Sequence, residues 1–150
     1  MHFSTLAATV AVAILPVLGA NFDVIVGQNN GFTFTPTSIS GAVAGDTITF
    51  TFVSRNHTAT TTTFVNPCPP PAGGVGPGGF ETGFQNAVGA DQPVSVVTLS
   101  DADTHLVSCR QAAGAHCVAG MIFVVNPTEE MSVDAFLEHA ENDPVQTDRV

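Results

Sequence analysis

The chain has 150 residues, with thirteen acidic side chains against three arginines and no lysine, for a formal net charge of −10. That length suits one domain with a real core, and a chain this acidic lacks the basic footprint that nucleic acid or an anionic membrane requires. The charge reads as a solvating surface suited to an acidic milieu, with steering toward a cationic partner as the sharper alternative.

In chain order, Leu6 to Leu18 form an uncharged apolar run broken by Pro16 and followed by the small pair Gly19-Ala20. The run is short of the ~20 residues that span a bilayer, so residues 1–20 read as a cleavable secretory signal. Secretion, to the medium or the cell wall, is the expectation, without a membrane span. The polar, acidic last twenty residues argue against a glycolipid anchor. Phe22-Asp-Val-Ile-Val-Gly27 reads as a strand, and Gln28-Asn-Asn-Gly31 as a turn. Phe32-Thr-Phe-Thr35 stops at Pro36. The segment Thr47-Ile-Thr-Phe-Thr-Phe-Val53 alternates strictly, with Ile48, Phe50 and Phe52 on one face and threonines on the other, the pattern of a half-buried strand. The threonine-rich run His57 to Val65 suggests a strand that begins at the histidine. Proline and glycine dominate from Pro67 to Gly79, which excludes a ladder and predicts a long surface loop. Phe80, Phe84 and Val88 are expected to fold back onto the body of the protein.

Strand runs resume at Pro93 to Leu99, Thr104 to Cys109 and Met121 to Val125. Short strands, frequent turns and no long interior helix predict an antiparallel β-sandwich over residues 21–127. Val133, Phe136, Leu137 and Ala140 then fall at i, i+3, i+4 and i+7, which predicts one short amphipathic helix within an acidic C-terminal segment, 128–150, capped by Thr128 or Ser132. Residues 141–150 are expected to fray.

Cys68, Cys109 and Cys117 are an odd set in an oxidising compartment. In an extended segment His116 and Cys117 point to opposite faces. If His116 faces a metal, Cys117 is free to bridge Cys68 and Cys109 is left as a thiolate; pairing Cys109 with Cys68 or Cys117 instead leaves none. His57, Cys109, His116 and Met121 are two imidazoles, a thiolate and a thioether, the donor set of a mononuclear blue-copper centre. Cys109 ends one strand, Met121 opens the next and His116 lies between them, so these three share one pole; His57 must arrive there through the fold. His105 and His139 are treated as surface or structural, with His105 held in reserve as a ligand. Asn56-His57-Thr58 is also an N-glycosylation sequon; the reading preferred is a buried, unmodified Asn56 whose amide bridges the ligand loops.

The runs Phe32 to Pro36 and Gly45 to Phe52, with Asn56-His57-Thr58, Asn66-Pro-Cys68, Gly79 to Phe84 and His116 to Asn126, resemble secreted fungal cupredoxin-like proteins, relatives of the plant phytocyanins. The resemblance covers about residues 22–127. It implies a Greek-key β-sandwich, a Cys68–Cys117 disulfide, and one copper ion at His57, Cys109, His116 and Met121. The chain departs from the phytocyanin pattern in two ways. Six residues separate Cys109 from His116, a longer loop than such sites usually carry, and Leu106, Val107 and Ser108 replace the aromatics common before the cysteine. A bulge at Gly114 would let the longer loop keep all four donors.

These readings lead to a monomeric secreted copper protein that passes single electrons to a redox partner. The alternative is a cupredoxin scaffold serving as a cell-wall or host-interaction module with little or no copper. Catalysis is not expected. Paired His-x-His motifs are missing, the chain after processing would begin at Ala20 or Asn21 rather than a histidine, and the glycine-rich stretch lacks the lysine of a phosphate loop.

Overall fold

The computed structural model describes residues 19–144. The expected secretory signal therefore falls outside the described residues except for Gly19 and Ala20, and the expected fraying can be followed only as far as residue 144. The strands, in chain order, are β1 (Asn21–Val26), β2 (Phe34–Thr35), β3 (Ser38–Ile39), β4 (Thr47–Phe52), β5 (Arg55–His57), β6 (Thr60–Thr62), β7 (Gln85–Ala87), β8 (Val94–Thr98), β9 (His105–Ser108) and β10 (Ile122–Val125). Two helices accompany them, α1 (Ala115–Val118) and α2 (Val133–Glu141).

The architecture is the expected all-β, Greek-key sandwich. One sheet has the order β2-β1-β4-β8 and the other β3-β10-β9-β6, while β5 and β7 form a small ribbon beside them. The chain passes repeatedly from one sheet to the other, as a Greek-key path does. The sheets are mixed rather than purely antiparallel, because β1 runs parallel to β4 from Asn21↔Thr47 to Val26↔Phe52, and β3 runs parallel to β10. Neighbouring parallel strands need a crossover between them. Here the chain leaves the first sheet through β3 before β4 returns beside β1.

Burial follows the side-chain pattern. β4 keeps the alternation read from its sequence, with Ile48, Phe50 and Phe52 fully buried and its threonines half-buried on the outer face. Phe50 meets Phe123 of the opposite sheet edge-to-face at 5.9 Å, and Phe34 lies 5.9 Å from the same ring. These contacts close the space between the sheets. β9 and β10 are buried on both faces. Val107, Phe123 and Val125 point into the sandwich, whereas Leu106, Ile122 and Val124 lie under α2 with Phe136 and Ala140. The helix starts where its cap permits: the Ser132 hydroxyl accepts a hydrogen bond from the Ala135 amide at 3.3 Å.

The Pro/Gly segment from 67 to 79 carries no regular element and is tied down at its start by the Cys68–Cys117 bridge and further along by side-chain hydrogen bonds. The Thr61 hydroxyl accepts from the amides of Val75 and Phe80, both at 3.0 Å. Phe80 packs on the core as expected. Phe84 and Val88 do not, and stand 53% and 64% exposed. No helix among the described residues is long and apolar enough to cross a membrane.

The outer face of β9 and β10 depends on Phe136 for its cover. Phe136→Ala should cost about 3–5 kcal/mol in denaturant unfolding; a loss under about 1 kcal/mol would show that α2 is not part of the cooperative core.

Candidate metal centre

Four chain segments converge at the pole where β9 ends and β10 begins. Cys109 follows β9, and Met121 immediately precedes β10. Between them the chain does not stay extended. Ala112 and Ala113 take left-handed backbone angles, φ 54° and 52°, and Gly114 follows at φ 92° to open α1. Two alanines in that region cost on the order of 1 kcal/mol each or more, and the gain is that the long loop folds up instead of splaying. Gly114 is required for a second reason, since an added Cβ would stand 3.0 Å from Pro69. His116 and Cys117 therefore diverge as neighbours on a helical turn, about 100° apart, and not as alternating residues of a strand.

Their divergence has a chemical outcome. Cys117 is joined to Cys68 by a disulfide, and Cys109 is a free, fully buried thiol. His57 closes β5 rather than beginning a strand, because the chain changes sheets at Thr58 and Ala59 before β6. That change of direction turns its ring inward.

The three donor atoms meet. His57 Nδ1 lies 3.2 Å from His116 Nδ1, and Cys109 Sγ lies 3.8 Å from the first and 3.6 Å from the second. The point equidistant from all three is about 2 Å from each, within the ~2.0–2.3 Å span of nitrogen and thiolate bonds to a first-row metal ion. Three donors converging without a carboxylate or lysine between them suit a soft or borderline cation, and the residues fit copper by this test. Met121 is fully buried beside them. Its amide donates to the His116 carbonyl at 3.0 Å, and its carbonyl accepts from the Cys109 amide at 3.3 Å.

Surrounding contacts orient the donors. The Thr58 amide donates to the Cys109 sulfur at 3.4 Å, while the Thr58 hydroxyl accepts from the Arg110 amide at 2.9 Å. Phe32 stacks on the His116 ring at 4.1 Å, and the Arg55 guanidinium lies 5.1 Å from the Phe32 centroid. Gly27, at φ 80°, lets the backbone approach the His57 ring, because a Cβ there would stand 3.0 Å from Nε2. That Nε2 is buried without a hydrogen-bond partner, so a His57 that offers Nδ1 to a metal carries an uncompensated N–H behind it. The side-chain amide oxygen of Asn56 is likewise buried and unpartnered. It makes no bridge to the ligand loop, contrary to the role expected of it.

The roles of Thr58, Phe32 and Arg55 were not legible in the sequence. The nearest signal was that Thr58 directly follows a candidate ligand. His105 and His139 stand apart from the centre: His105 is buried and bonded to Asp101 at 2.8 Å, and His139 lies against Phe64.

Burial holds His57 down to about 4, with the nearby His116 and the Arg55 charge acting in the same direction. Burial also lowers His116, aided by Arg55, and pushes the Cys109 thiol up. The His57 imidazole is thus neutral and open to a metal at mildly acidic pH, and burial biases His116 toward the same neutral form.

No family model and no curated protein matches the chain. Among solved structures it is similar to auracyanin A, a "blue" copper protein from the green thermophilic photosynthetic bacterium Chloroflexus aurantiacus, at 16% identity over 72% of this chain and 98% of that one, with a TM-score of 0.49. Auracyanin B is similar at 19% identity over 77% and 93%, with a TM-score of 0.49. A mutant fern plastocyanin is similar at 24% identity over 69% and 97%, with a TM-score of 0.48. These likenesses concern the fold.

The neutral His57 sets an acid limit on the metal-free protein. Its ring stays unprotonated in the folded chain down to about pH 4, whereas in the unfolded chain it binds a proton below about 6.5. The stability it supports is therefore fully present above pH 6.5 and is lost as pH falls, by roughly 2–3 kcal/mol at pH 4. Thermal unfolding across that range should show the decline, and His57→Gln should remove part of it. A melting temperature that rises on acidification would contradict the assignment.

Proposed function

We infer that this chain is an exported mononuclear copper protein that carries single electrons. The observation that supports the reading most is the triangle of His57 Nδ1, His116 Nδ1 and Cys109 Sγ around one point. Copper bound there would alternate between its cuprous and cupric forms, one electron at a time. Everything else in the reading concerns what the chain's own residues do. Cys109, His57 and His116 would hold the ion, with the Met121 thioether as a fourth, softer donor. The Thr58 amide would hold the thiolate in place and temper its charge. A donor set fixed by folding resists the rearrangement that the two copper oxidation states would otherwise demand.

Within this reading the chain belongs with the secreted fungal cupredoxin-like proteins related to phytocyanins. The quoted sequence segments and the Cys68–Cys117 bridge support that placement. Residues 1–20 are the leader, the sandwich acts as a monomer, and residues 128–150 are the acidic C-terminal helix and tail. Asn56 is unmodified, a proposal supported by the burial of its side-chain amide oxygen. The chain is a carrier and not an enzyme: the donors are buried, with His116 at 9% exposure the least so, which leaves little room for a substrate to reach a metal.

Cu(II) added to the protein with Cys109 free should give an intense thiolate-to-copper band in the visible. Cys109→Ser should abolish the band, and His57→Ala should weaken copper retention in equilibrium dialysis by at least about tenfold. A colourless mixture whose Cys109 still titrates as a free thiol after unfolding would overturn the reading. The same sandwich would then be an interaction module.

A further inference from the structure

The net charge of −10 points toward a cationic partner, but the charge beside the metal centre has the opposite sign. Of the two described arginines, Arg110 is spent on an ion pair with Glu81 at 2.6 Å. Arg55 has no carboxylate partner among the described residues. It is exposed and held in a fixed pose: the backbone sits at φ 58°, and Nε donates to both the carbonyl and the side-chain oxygen of Asn30, at 2.8 and 2.9 Å. An exposed arginine at a left-handed backbone position, immobilised by another residue in the same conformation (Asn30, φ 59°), spends conformational energy that a merely solvating side chain does not need.

The guanidinium lies over Phe32, and Phe32 is stacked on His116, so cation, aromatic ring and imidazole form three consecutive layers leading from solvent to the donor cluster. The Asp101 carboxylate, which accepts the Asp103 amide, is bonded to His105, at the opposite end of β9 from Cys109. At physiological salt, charges more than about 8 Å apart are largely screened, so a docking partner feels the local charge and not the sum over the chain. We propose that the Arg55–Phe32 face is the docking surface for an acidic protein partner, whose carboxylate pairs with Arg55 while its apolar rim rests on Phe32. Docking there sets the partner against the layer that covers His116. The inference deepens the electron-carrier reading by naming the kind of partner it needs. Its test uses metal-free protein, so a failure of copper binding and a failure of docking are read separately.

The probe is a glutamate hexamer, titrated into isotope-labelled protein at 150 mM salt and followed by amide and arginine Nε–H chemical shifts, with a lysine hexamer as comparator. Shifts should be confined to residues 30–32, 55–57 and 116, with the Arg55 Nε–H among the largest, and should shrink as salt is raised. Arg55→Gln should weaken binding at least about fivefold and Arg55→Lys no more than about twofold. Both variants carry the same backbone strain, so the comparison isolates the charge. Arg110→Gln should leave the affinity within about twofold, because that charge is already paired. Three results would overturn the proposal: no shifts with the glutamate peptide, shifts centred elsewhere, or unchanged affinity in Arg55→Gln. Preferential binding of the lysine peptide at this face would do the same. If Arg55→Gln does not give a folded fingerprint, the salt dependence and the location of the shifts in the unmutated protein decide the matter.

Discussion

Thr58 joins the two parts of the chain that carry the donors. Its amide points at the Cys109 sulfur and its hydroxyl takes the Arg110 amide, so the residue after His57 is stitched to the residues at the end of β9. The stitch continues the antiparallel ladder in which Thr60 faces Ser108 and Thr62 faces Leu106. Without it, His57 and Cys109 would be held only by the general packing of two sheets. With it, the imidazole and the thiol face each other because the β6–β9 register leaves them no alternative.

The remaining donors are fixed by closure of the loop between Cys109 and Met121. Hydrogen bonds from Met121 to His116 and from Cys109 to Met121 pin both ends, while the Cys68–Cys117 bridge ties the middle to the Pro/Gly segment. The bridge also decides the sulfur chemistry, since it consumes two of the three thiols and leaves one in a buried site. Burial then favours the neutral form of each ionisable donor: it disfavours protonated imidazole and, in the absence of a cation, disfavours thiolate. A site so arranged is poised for a positive ion and poorly suited to remaining charged without one.

Much of this was legible in the sequence, and the divisions are physical. The alternation in β4, the glycine and proline that forbid a ladder at 67–79, and the 3.6-residue pattern of α2 are local signals, and the structure contains each of those elements. The donor residues were legible as chemistry, because few folds bring two histidines, a lone cysteine and a methionine into such a pattern. Pairings between distant segments were not. The parallel β1–β4 contact depends on a crossover that leaves no mark on either strand, and β3, at two residues, is too short to carry a period. The four-residue α1 has almost no intrinsic stability and exists because its two ends are held by the fold. Phe84 was expected to pack inward by its hydrophobicity alone, yet Arg110 lies over its exposed ring. The Arg55–Phe32–His116 stack joins residues far apart in the chain, and no local rule anticipates it.

X-ray absorption at the copper edge tests the central claim most directly, because it reports which atoms surround the ion. Protein loaded with one equivalent of copper should show one short sulfur and two imidazole nitrogens at about 2.0–2.3 Å. A shell of nitrogen and oxygen alone, with no short sulfur, would contradict the account.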